Sequence, residues 1–157
     1  MRGYFGIGIY CPKSKVNFGT LFRSANIFGA SFVFLIGCRF KKQSSDTLRS
    51  ERALPVYSYG SFGEFITALP HNCKLIAVEN TCDASPLKNY VHPQQACYLL
   101  GAEESGLPPE VLESCHETVI IPGRFCLNVA VAGSIVMYDR ISKGGSNLLD
   151  VHTACDC

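Results

Sequence analysis

Two stretches of the chain decide its fold: residues 99–107 have the sequence LLGAEESGL, and residues 119–128 have the sequence VIIPGRFCLN. In each, a short apolar run typical of a buried strand ends in a polar turn that contains glycine, and a predicted helix follows. This arrangement places backbone amides and carbonyls at the carboxyl ends of two strands, where α/β folds bind nucleotide-like ligands. Neither turn has the spacing of a phosphate-binding loop, so we expect a ligand other than a nucleoside triphosphate.

The rest of the chain alternates strand patterns with helix patterns. Strands are predicted at residues 4–10, 31–36, 55–59, 74–79, 96–100 and 118–121, and helices at 17–28, 61–69, 108–114 and 127–141. Asn17 is predicted to be the N-cap of the first helix, with Gly29 following its last turn, and Ser61 with Glu64 is typical of a capping box. The alternation predicts an α/β fold: one domain over residues 1–143, with a mostly parallel sheet and helices on both faces, followed by a flexible tail at 144–157.

Composition excludes several protein classes. Of the 157 residues, 47% are hydrophobic and 17% charged, which is enough apolar material for a full core and argues against disorder. No apolar run reaches the roughly 18 residues of a membrane span, and the amino terminus has no signal-peptide cleavage pattern, so we expect a cytoplasmic protein. The nine cysteines lack a C-x-x-C pair, which indicates reduced, mostly structural thiols and no metal site.

Charge is distributed unevenly along the chain. Residues 1–52 carry nine basic and two acidic side chains, a net charge of +7, whereas the remainder carries five basic and eleven acidic ones, a net charge of −6. Such asymmetry is typical of a protein with a polyanionic partner such as a nucleic acid. A solvated surface whose charges cluster in sequence would give the same pattern, and charge alone leaves both interpretations open.

The last predicted helix is apolar almost all round from Leu127 to Tyr138. A helix of this kind is expected to be buried on all sides. In a domain of this size we expect a partner subunit to cover part of it, and the alternative is a central core helix in a monomer. The small residues Ala130, Gly133 and Ser134 would let another helix approach closely.

Three polar clusters carry a family resemblance. Asn17 to Arg23 reads N-x-G-x-x-x-R, Gly101 to Leu107 reads G-x-E-x-x-G-L, and Ile121-Pro122 is followed by Cys126-Leu127-Asn128 and a helix of small residues. In this order the clusters resemble the three motifs of the SpoU (TrmH-like) family, the S-adenosylmethionine-dependent RNA 2′-O-ribose methyltransferases of the SPOUT class. The resemblance covers residues 5 to about 142.

The resemblance implies a fold, a cofactor and a site. It implies a sheet whose C-terminal part is threaded into a deep trefoil knot, a homodimer, and S-adenosylmethionine bound in the knot mainly by backbone groups of three loops. The implied cofactor-binding residues are Val78, Glu79, Leu100, Gly101, Gly106, Ile121, Cys126 and Leu127. The implied catalytic residues are Arg23, Asn17, Asn128 and Glu103, and Arg23 of one subunit would face the cofactor of the other.

The expected chemistry is methyl transfer to a ribose 2′-hydroxyl, a weak nucleophile that must be held in line with the methyl group and deprotonated or polarised. A guanidinium has a pKa above about 12, so Arg23 is a demanding choice as general base. Binding the adjacent RNA phosphate and stabilising the developing alkoxide is easier for it. Asn17 and Asn128 are expected to orient Arg23 and the loops. For Glu103, a hydrogen bond that ties its loop together and a catalytic role are both open.

Two departures from the family pattern concern the second turn. Cys126 stands where the family has serine, and its thiol is a weaker hydrogen-bond partner, which puts a direct catalytic role at this position in doubt. The turn is also shorter than in many relatives and contains Arg124 and Phe125. Phe125 could stack on a base, although packing over the cofactor is the favoured interpretation.

We expect RNA as the partner, tRNA rather than rRNA, and no membrane. The expected RNA-binding residues are Lys13, Lys15, Arg39, Lys41, Lys42 and Arg124, because basic side chains contact phosphates. Two alternatives remain: a catalytically silent knotted RNA-binding protein, and a methyltransferase that acts on a base nitrogen.

Overall fold

The computed structural model describes residues 3–37 and 54–144, and strands alternate with helices along both ranges. The strands of these ranges are β1 Tyr4–Tyr10, β2 Phe32–Ile36, β3 Val56–Tyr59, β4 Lys74–Val78, β5 Ser85–Pro86, β6 Gln95–Leu100 and β7 Glu117–Ile120. The α-helices are α1 Lys15–Ile27, α2 Phe62–Ala68, α3 Pro109–Ser114 and α4 Val129–Lys143, and a 3₁₀ turn covers Leu87–Asn89. Residues 38–53 and nearly all of the predicted tail lie outside the described residues.

The strands form one sheet in the order β3-β2-β1-β6-β4-β7-β5, and every strand pair is parallel. Helices α1 and α4 cover one face, where Leu21 and Met137 are buried. Helices α2 and α3 cover the other face with Phe65 and Val111. The predicted α/β class, with a parallel sheet between two helical layers, is confirmed. Because all strands run the same way, the turns after β1, β4, β6 and β7 meet at one edge.

Two glycines in β1 leave space for aromatic rings of the neighbouring strand β2 to pack over β1. Gly6 and Gly8 pair in register with Phe32 and Phe34 of β2. A Cβ atom on Gly6 would lie 2.3 Å from the ring of Phe32, and one on Gly8 would lie 2.4 Å from the ring of Phe34. The alternation of glycine with apolar residues in β1 therefore has a packing reason as well as a strand signature.

Helix α4 lies close to α1 at small residues, as predicted. A Cβ atom on Gly133 would lie 2.4 Å from Cδ1 of Leu21, so a larger residue here would force the Leu21 side chain to move. The hydroxyl of Ser134 donates to the hydroxyl of Ser24 at 2.8 Å. The two helices thus form one layer, and α4 is held against the sheet along one side.

The single chain leaves one face of α4 uncovered, so burial on all sides would require the expected partner subunit. Val131, Ile135 and Tyr138, spaced four and three residues apart on one helix face, are exposed large apolar side chains. A helix that packs on a sheet is covered from one side, and no residue of the ranges 3–37 and 54–144 covers the other, so α4 is not a central core helix of the described structure. Among the described helices, none combines the length and apolar character needed to cross a membrane.

Helix α1 begins earlier than predicted. Its N-cap is Ser14, whose Oγ accepts a hydrogen bond from the backbone N–H of Asn17 at 3.2 Å. The assignment of Asn17 as N-cap is wrong because Ser14 supplies a good cap one turn earlier, and the amide of Asn17 is used in tertiary hydrogen bonds instead. The helix ends at Ile27, and Gly29 follows with φ +74°, as its sequence position predicted.

Helix α2 begins as predicted, with one difference. Ser61 is the N-cap and its hydroxyl accepts from the backbone N–H of Glu64 at 3.2 Å. The carboxylate of Glu64 accepts from the backbone N–H of Gly60 at 2.7 Å rather than from that of Ser61. The two-residue strand β5 was not predicted, because so short an extended segment leaves no periodic pattern.

A partly buried polar network closes the opposite, amino-terminal edge of the sheet. The hydroxyl of Tyr98 lies 2.6 Å from Nδ1 of His92, whose Nε2 lies 2.9 Å from the carboxylate of Asp139 in α4. Arg140 donates to the Tyr98 hydroxyl at 3.0 Å and to the carbonyl oxygen of Pro93 at 2.7 Å. Burial lowers the pKa of His92 below its ordinary value, which favours the neutral ring in this network.

The cysteines of the described ranges are free thiols. Cys73 and Cys97 are buried between sheet and helices, with their sulfur atoms 3.5 Å apart. For these two cysteines this agrees with the prediction of reduced, structural thiols, because a buried free cysteine packs as a small apolar side chain.

Candidate active site

The three motif segments meet at the carboxyl edge of the sheet through a chain of side-chain hydrogen bonds. Nδ2 of Asn17, in the first turn of α1, donates to Oε1 of Glu103 at 2.5 Å. Oδ1 of Asn17 accepts from Nδ2 of Asn128 at 3.0 Å. Asn128 is the N-cap of α4, and its Oδ1 accepts from the backbone N–H groups of Ala130 at 2.9 Å and Val131 at 3.3 Å. Three of the four residues expected to be catalytic are therefore in contact.

A second carboxylate, that of Glu79, holds the turn after β6. Its Oε1 accepts from the backbone N–H of Asn80 at 3.0 Å, and its Oε2 accepts from that of Leu107 at 2.9 Å. A Cβ atom on Gly106 would lie 2.6 Å from Oε2 of Glu79, and one on Gly101 would lie 2.8 Å from it. Gly106 also has φ +65°, a conformation that favours glycine. Both glycines therefore make room for the carboxylate.

The residue that ties this turn together is thus Glu79 and not Glu103. The turn is closed by backbone hydrogen bonds between Ala102 and Gly106, at 2.9 and 3.2 Å. Glu103, within the turn, contacts α1 through Asn17. Glu79 follows β4, which pairs directly with β6, so its carboxylate reaches the amide of Leu107.

A cleft opens between the ends of β4 and β7. Its walls combine apolar side chains with polar groups, and the lining residues are Val78, Glu79, Asn80, Ile120, Ile121, Gly123, Phe125, Cys126, Leu127 and Ala132. Five of the expected cofactor-binding residues are in this set: Val78, Glu79, Ile121, Cys126 and Leu127. Sequence reasoning missed Asn80 and Ile120, although both adjoin predicted strand ends, and it missed Ala132, which only the packing of α4 brings there.

The other three expected cofactor-binding residues do not line the cleft. Leu100 is 2% exposed and packs in the core, so it could offer a ligand only its backbone. Gly101 and Gly106 lie against the carboxylate of Glu79, on the neighbouring turn.

Arg23 lies apart from the cleft, on the exposed side of α1. It borders a groove formed with Val16, Gly19, Thr20, Phe22, Asn26 and Ile27. Within the described part of the chain it has no hydrogen-bond or ion-pair partner, so its guanidinium is available to an anion. Val16 and Ile27, on either side of it along the helix, are exposed apolar side chains. A single chain therefore does not bring Arg23 to the cleft.

The expected RNA-binding residues differ in their surroundings. Lys13 forms an ion pair with Glu104, and the Lys13 ammonium lowers the pKa of that carboxyl group. Lys15 and Arg124 are exposed. The expected contacts at Arg39, Lys41 and Lys42 lie outside the described residues. The ion pair links the turn after β1 to the turn after β6, beside the hydrogen bond from Asn17 to Glu103.

A comparison with known protein families shows to which family this chain belongs. The sequence profile of the SpoU rRNA Methylase family matches residues 5–138. The chain belongs to this family. The match spans the three motif segments that the hydrogen-bond chain of Asn17, Glu103 and Asn128 joins.

Individual relatives in the family are distant. The tRNA (guanosine(18)-2'-O)-methyltransferase of Escherichia coli is 24% identical over 129 residues, which cover 78% of this chain and 56% of the relative. The tRNA (cytidine(34)-2'-O)-methyltransferase of Ancylobacter novellus is 26% identical over 149 residues, which cover 88% of this chain and 92% of the relative. This chain thus spans about half the length of the first relative and nearly all of the second.

A solved structure shares the fold. A SpoU methyltransferase from Streptomyces viridochromogenes, in complex with AdoMet, matches with a TM-score of 0.82 and 22% sequence identity, covering 93% of this chain and 60% of that chain. Identity at this level shows the fold alone. The parallel sheet with two helical layers is therefore the fold of SpoU methyltransferases.

Proposed function

We propose that this chain is an S-adenosylmethionine-dependent methyltransferase that acts on a ribose 2′-hydroxyl of RNA, with tRNA as the substrate class. The observation that carries the proposal is the hydrogen-bond chain from Glu103 through Asn17 to Asn128, which joins all three motif segments beside the cleft. Both curated relatives described above are named tRNA 2'-O-methyltransferases, which supports ribose over base and tRNA over rRNA.

The cleft between β4 and β7 is the proposed cofactor site, and its chemistry fits the ligand. Val78, Ile121 and Leu127 offer apolar surface to an uncharged ring system. The turn of Gly101 and Gly106 does not line the cleft but contacts Glu79, which does, and we propose that it contributes backbone groups to the cofactor from the neighbouring strand end. S-adenosylmethionine supplies a methyl group that its sulfonium charge already activates, so the protein has to orient and need not activate the donor.

Cys126 lines this cleft in place of the family's serine. A contact made through its backbone would be the same with either side chain. The Cys126 thiol therefore has no proposed role in catalysis, and residue 126 is assigned to cofactor binding.

Arg23 is the proposed catalytic residue. Its guanidinium stays charged at neutral pH, so it is suited to hold the phosphate next to the target ribose and to stabilise negative charge on the 2′-oxygen. The chain of Asn17, Asn128 and Glu103 positions the ends of α1 and α4 relative to the cleft. Lys13, Lys15 and Arg124, together with Arg39, Lys41 and Lys42, are proposed to contact RNA phosphates.

The active site is proposed to be shared between two subunits of a homodimer. Arg23 does not reach the cleft of its own chain, and it lies among apolar side chains, Val16 and Ile27, that are exposed in a single chain. The exposed stripe of Val131, Ile135 and Tyr138 on α4 lies in the same helical layer. A second copy packed on this layer would cover both sets and bring Arg23 to the partner's cleft.

The trefoil knot is also part of the proposal, for the single domain of residues 1–143. It is supported by the sheet order, in which β7 lies beyond β4 rather than beside β6. The turn after β6 is tied back to the end of β4 by Glu79, so the chain must pass this turn to reach β7 and α4.

The direct test is methyl transfer from isotope-labelled S-adenosylmethionine to unmodified tRNA and to unmodified rRNA, followed by mass spectrometry of the nucleosides. We expect label on a ribose of tRNA. Label on a base would refute the proposal and show that the chain is a base methyltransferase. No transfer, together with no calorimetric binding of millimolar cofactor, would leave a silent RNA-binding protein.

The shared site is tested by mixing two inactive variants. Arg23→Ala removes the catalytic side chain, and Leu127→Arg blocks the cleft. Random pairing makes half of the dimers mixed, and each mixed dimer has one intact site if Arg23 acts on the other subunit, so about one quarter of the activity should return. If Arg23 acts within its own subunit, the mixture stays inactive.

A further inference from the structure

The side chain of Phe125 stands out among the phenylalanines of the described ranges. It is 88% exposed, whereas the other eight are buried or half-buried. It lies in the turn between β7 and α4 and lines the proposed cofactor cleft at its rim. An aromatic ring left in water at the mouth of a cleft is typical of a binding surface rather than of the core.

The described residues cover little of this ring. With 88% of Phe125 in solvent, the walls of the cleft contact only a small part of its surface. The ring therefore offers an apolar face to a ligand that approaches the mouth of the cleft.

The neighbouring residue supplies the charge that a nucleic acid would need. Arg124 is exposed and has no hydrogen-bond or ion-pair partner within the described part of the chain. An aromatic face beside a free guanidinium is the combination that binds an unpaired nucleotide, with the ring stacking on the base and the cation binding its phosphate.

We propose that Phe125 stacks on the base of the target nucleotide, or of its immediate neighbour, and thereby holds the ribose 2′-hydroxyl at the mouth of the cofactor cleft. This rests on the proposed function and deepens it, because it names an unpaired, single-stranded nucleotide as the form of RNA that the site accepts. Phe125 is a substrate-positioning residue, because stacking on the base fixes the position of the ribose attached to that base.

The test uses the absence of tryptophan from this chain. Phe125→Trp gives a protein with a single tryptophan whose emission is quenched when a base stacks on it. Val91→Trp is the matched control: Val91 is 85% exposed, and it lies just before β6, at the edge of the sheet opposite the cleft. Each variant is titrated with S-adenosylhomocysteine, with unmodified bulk tRNA, and with an oligoribose phosphate that carries no bases.

We expect tRNA to quench Phe125→Trp strongly, with little effect from S-adenosylhomocysteine or the abasic oligomer, and with Val91→Trp unchanged throughout. Quenching by S-adenosylhomocysteine alone would overturn the proposal in favour of packing over the cofactor. Emission typical of a buried ring before any addition would overturn it in favour of coverage by a second subunit. Binding of tRNA without quenching would overturn it as well.

Kinetics separate a positioning role from a structural one. Phe125→Leu keeps an apolar side chain but loses the stacking face, so kcat/KM for tRNA should fall about tenfold, while the Kd for S-adenosylhomocysteine changes less than about threefold. Phe125→Trp should retain more activity than Phe125→Leu. Equal losses in both variants would contradict stacking. The proposed function and the stacking proposal can fail separately. If the control Val91→Trp transfers no methyl group while tRNA still quenches the emission of Phe125→Trp, the methyltransferase proposal is refuted and the proposal that Phe125 stacks on a base is retained.

Discussion

Replacement of Gly106 by alanine tests how the turn after β6 is held. The new Cβ atom would lie 2.6 Å from Oε2 of Glu79, so one of the two must move. The carboxylate is at the end of a flexible side chain, but it accepts hydrogen bonds from the backbone amides of Leu107 at 2.9 Å and Asn80 at 3.0 Å. It can therefore yield only by breaking bonds that hold the turn.

The free-energy cost has two parts. An alanine with φ near +65° costs about 1–2 kcal/mol in backbone strain. Loss of a hydrogen bond between a backbone amide and the Glu79 carboxylate costs about 1.5–3 kcal/mol. We expect Gly106→Ala to lower the free energy of unfolding by about 3 kcal/mol, which corresponds to a decrease in Tm of about 10 °C for a chain of this size.

Urea denaturation followed by far-ultraviolet circular dichroism at one fixed protein concentration measures this change. Gly63→Ala is the matched control: Gly63 lies within α2 and its new Cβ would meet nothing closer than 3.8 Å, so we expect a gain of about 0.5–1 kcal/mol. In a Glu79→Ala background, Gly106→Ala should cost only the backbone strain of about 1–2 kcal/mol. An unchanged penalty in that background would refute the assigned role of Glu79.

Three further predictions follow from the same contacts. Arg23→Ala should lower kcat by about 100-fold or more while the Kd for cofactor stays within a few-fold, as measured by single-turnover kinetics and calorimetry, because Arg23 lies outside the cleft; full activity would exclude Arg23 as catalytic. Asn17→Asp keeps the shape of the side chain but removes its donor and sets a carboxylate against Glu103, so the free energy of unfolding should fall by about 1–3 kcal/mol, with Asn26→Asp on the exposed side of α1 as control. Burial lowers the pKa of His92, so the folded chain binds fewer protons than the unfolded one; its contribution to stability is complete above the ordinary pKa of 6.5 and decreases as the pH falls below that value. His92→Gln should flatten the pH dependence of the urea midpoint between pH 7 and pH 5, and a slope equal to that of the unmodified chain would assign the effect to another group.

The sheet could be predicted because its strands are short apolar runs that differ from their surroundings in sequence. β6 and β2 are buried from both sides, so nearly every residue in them is apolar and the pattern needs no tertiary information. The start of α1 was harder, because Ser14 and Asn17 are both good caps and sequence alone does not say which amide is needed elsewhere. The answer depends on Glu103 and Asn128, 86 and 111 residues further along the chain.

The apolar character of α4 illustrates a limit of composition. Val136 and Met137 are buried in the core, whereas Ile135 and Tyr138 beside them are exposed. Both kinds of residue look alike in sequence, because an apolar face covered by the same chain and one left free have the same composition. What separates them is how α4 packs, with Gly133 against Leu21 of α1 and against Leu100 and Ile7 of the sheet.

The contacts of the two asparagines explain why amides occupy both positions. Asn128 accepts from the first turn of α4 with its oxygen and donates to Asn17 with its nitrogen. Asn17 accepts that bond with its oxygen and donates to Glu103 with its nitrogen. Aspartate would supply the acceptors but no donor, and serine would not span the two bonds. Donation therefore runs in one direction, from the amides of α4 to the carboxylate of Glu103, and every member of the chain is fixed by the next. A change at any of the three residues should loosen the attachment of α1 and α4 at the carboxyl edge of the sheet, so these residues can control the shape of the proposed site although none of them lines the cleft.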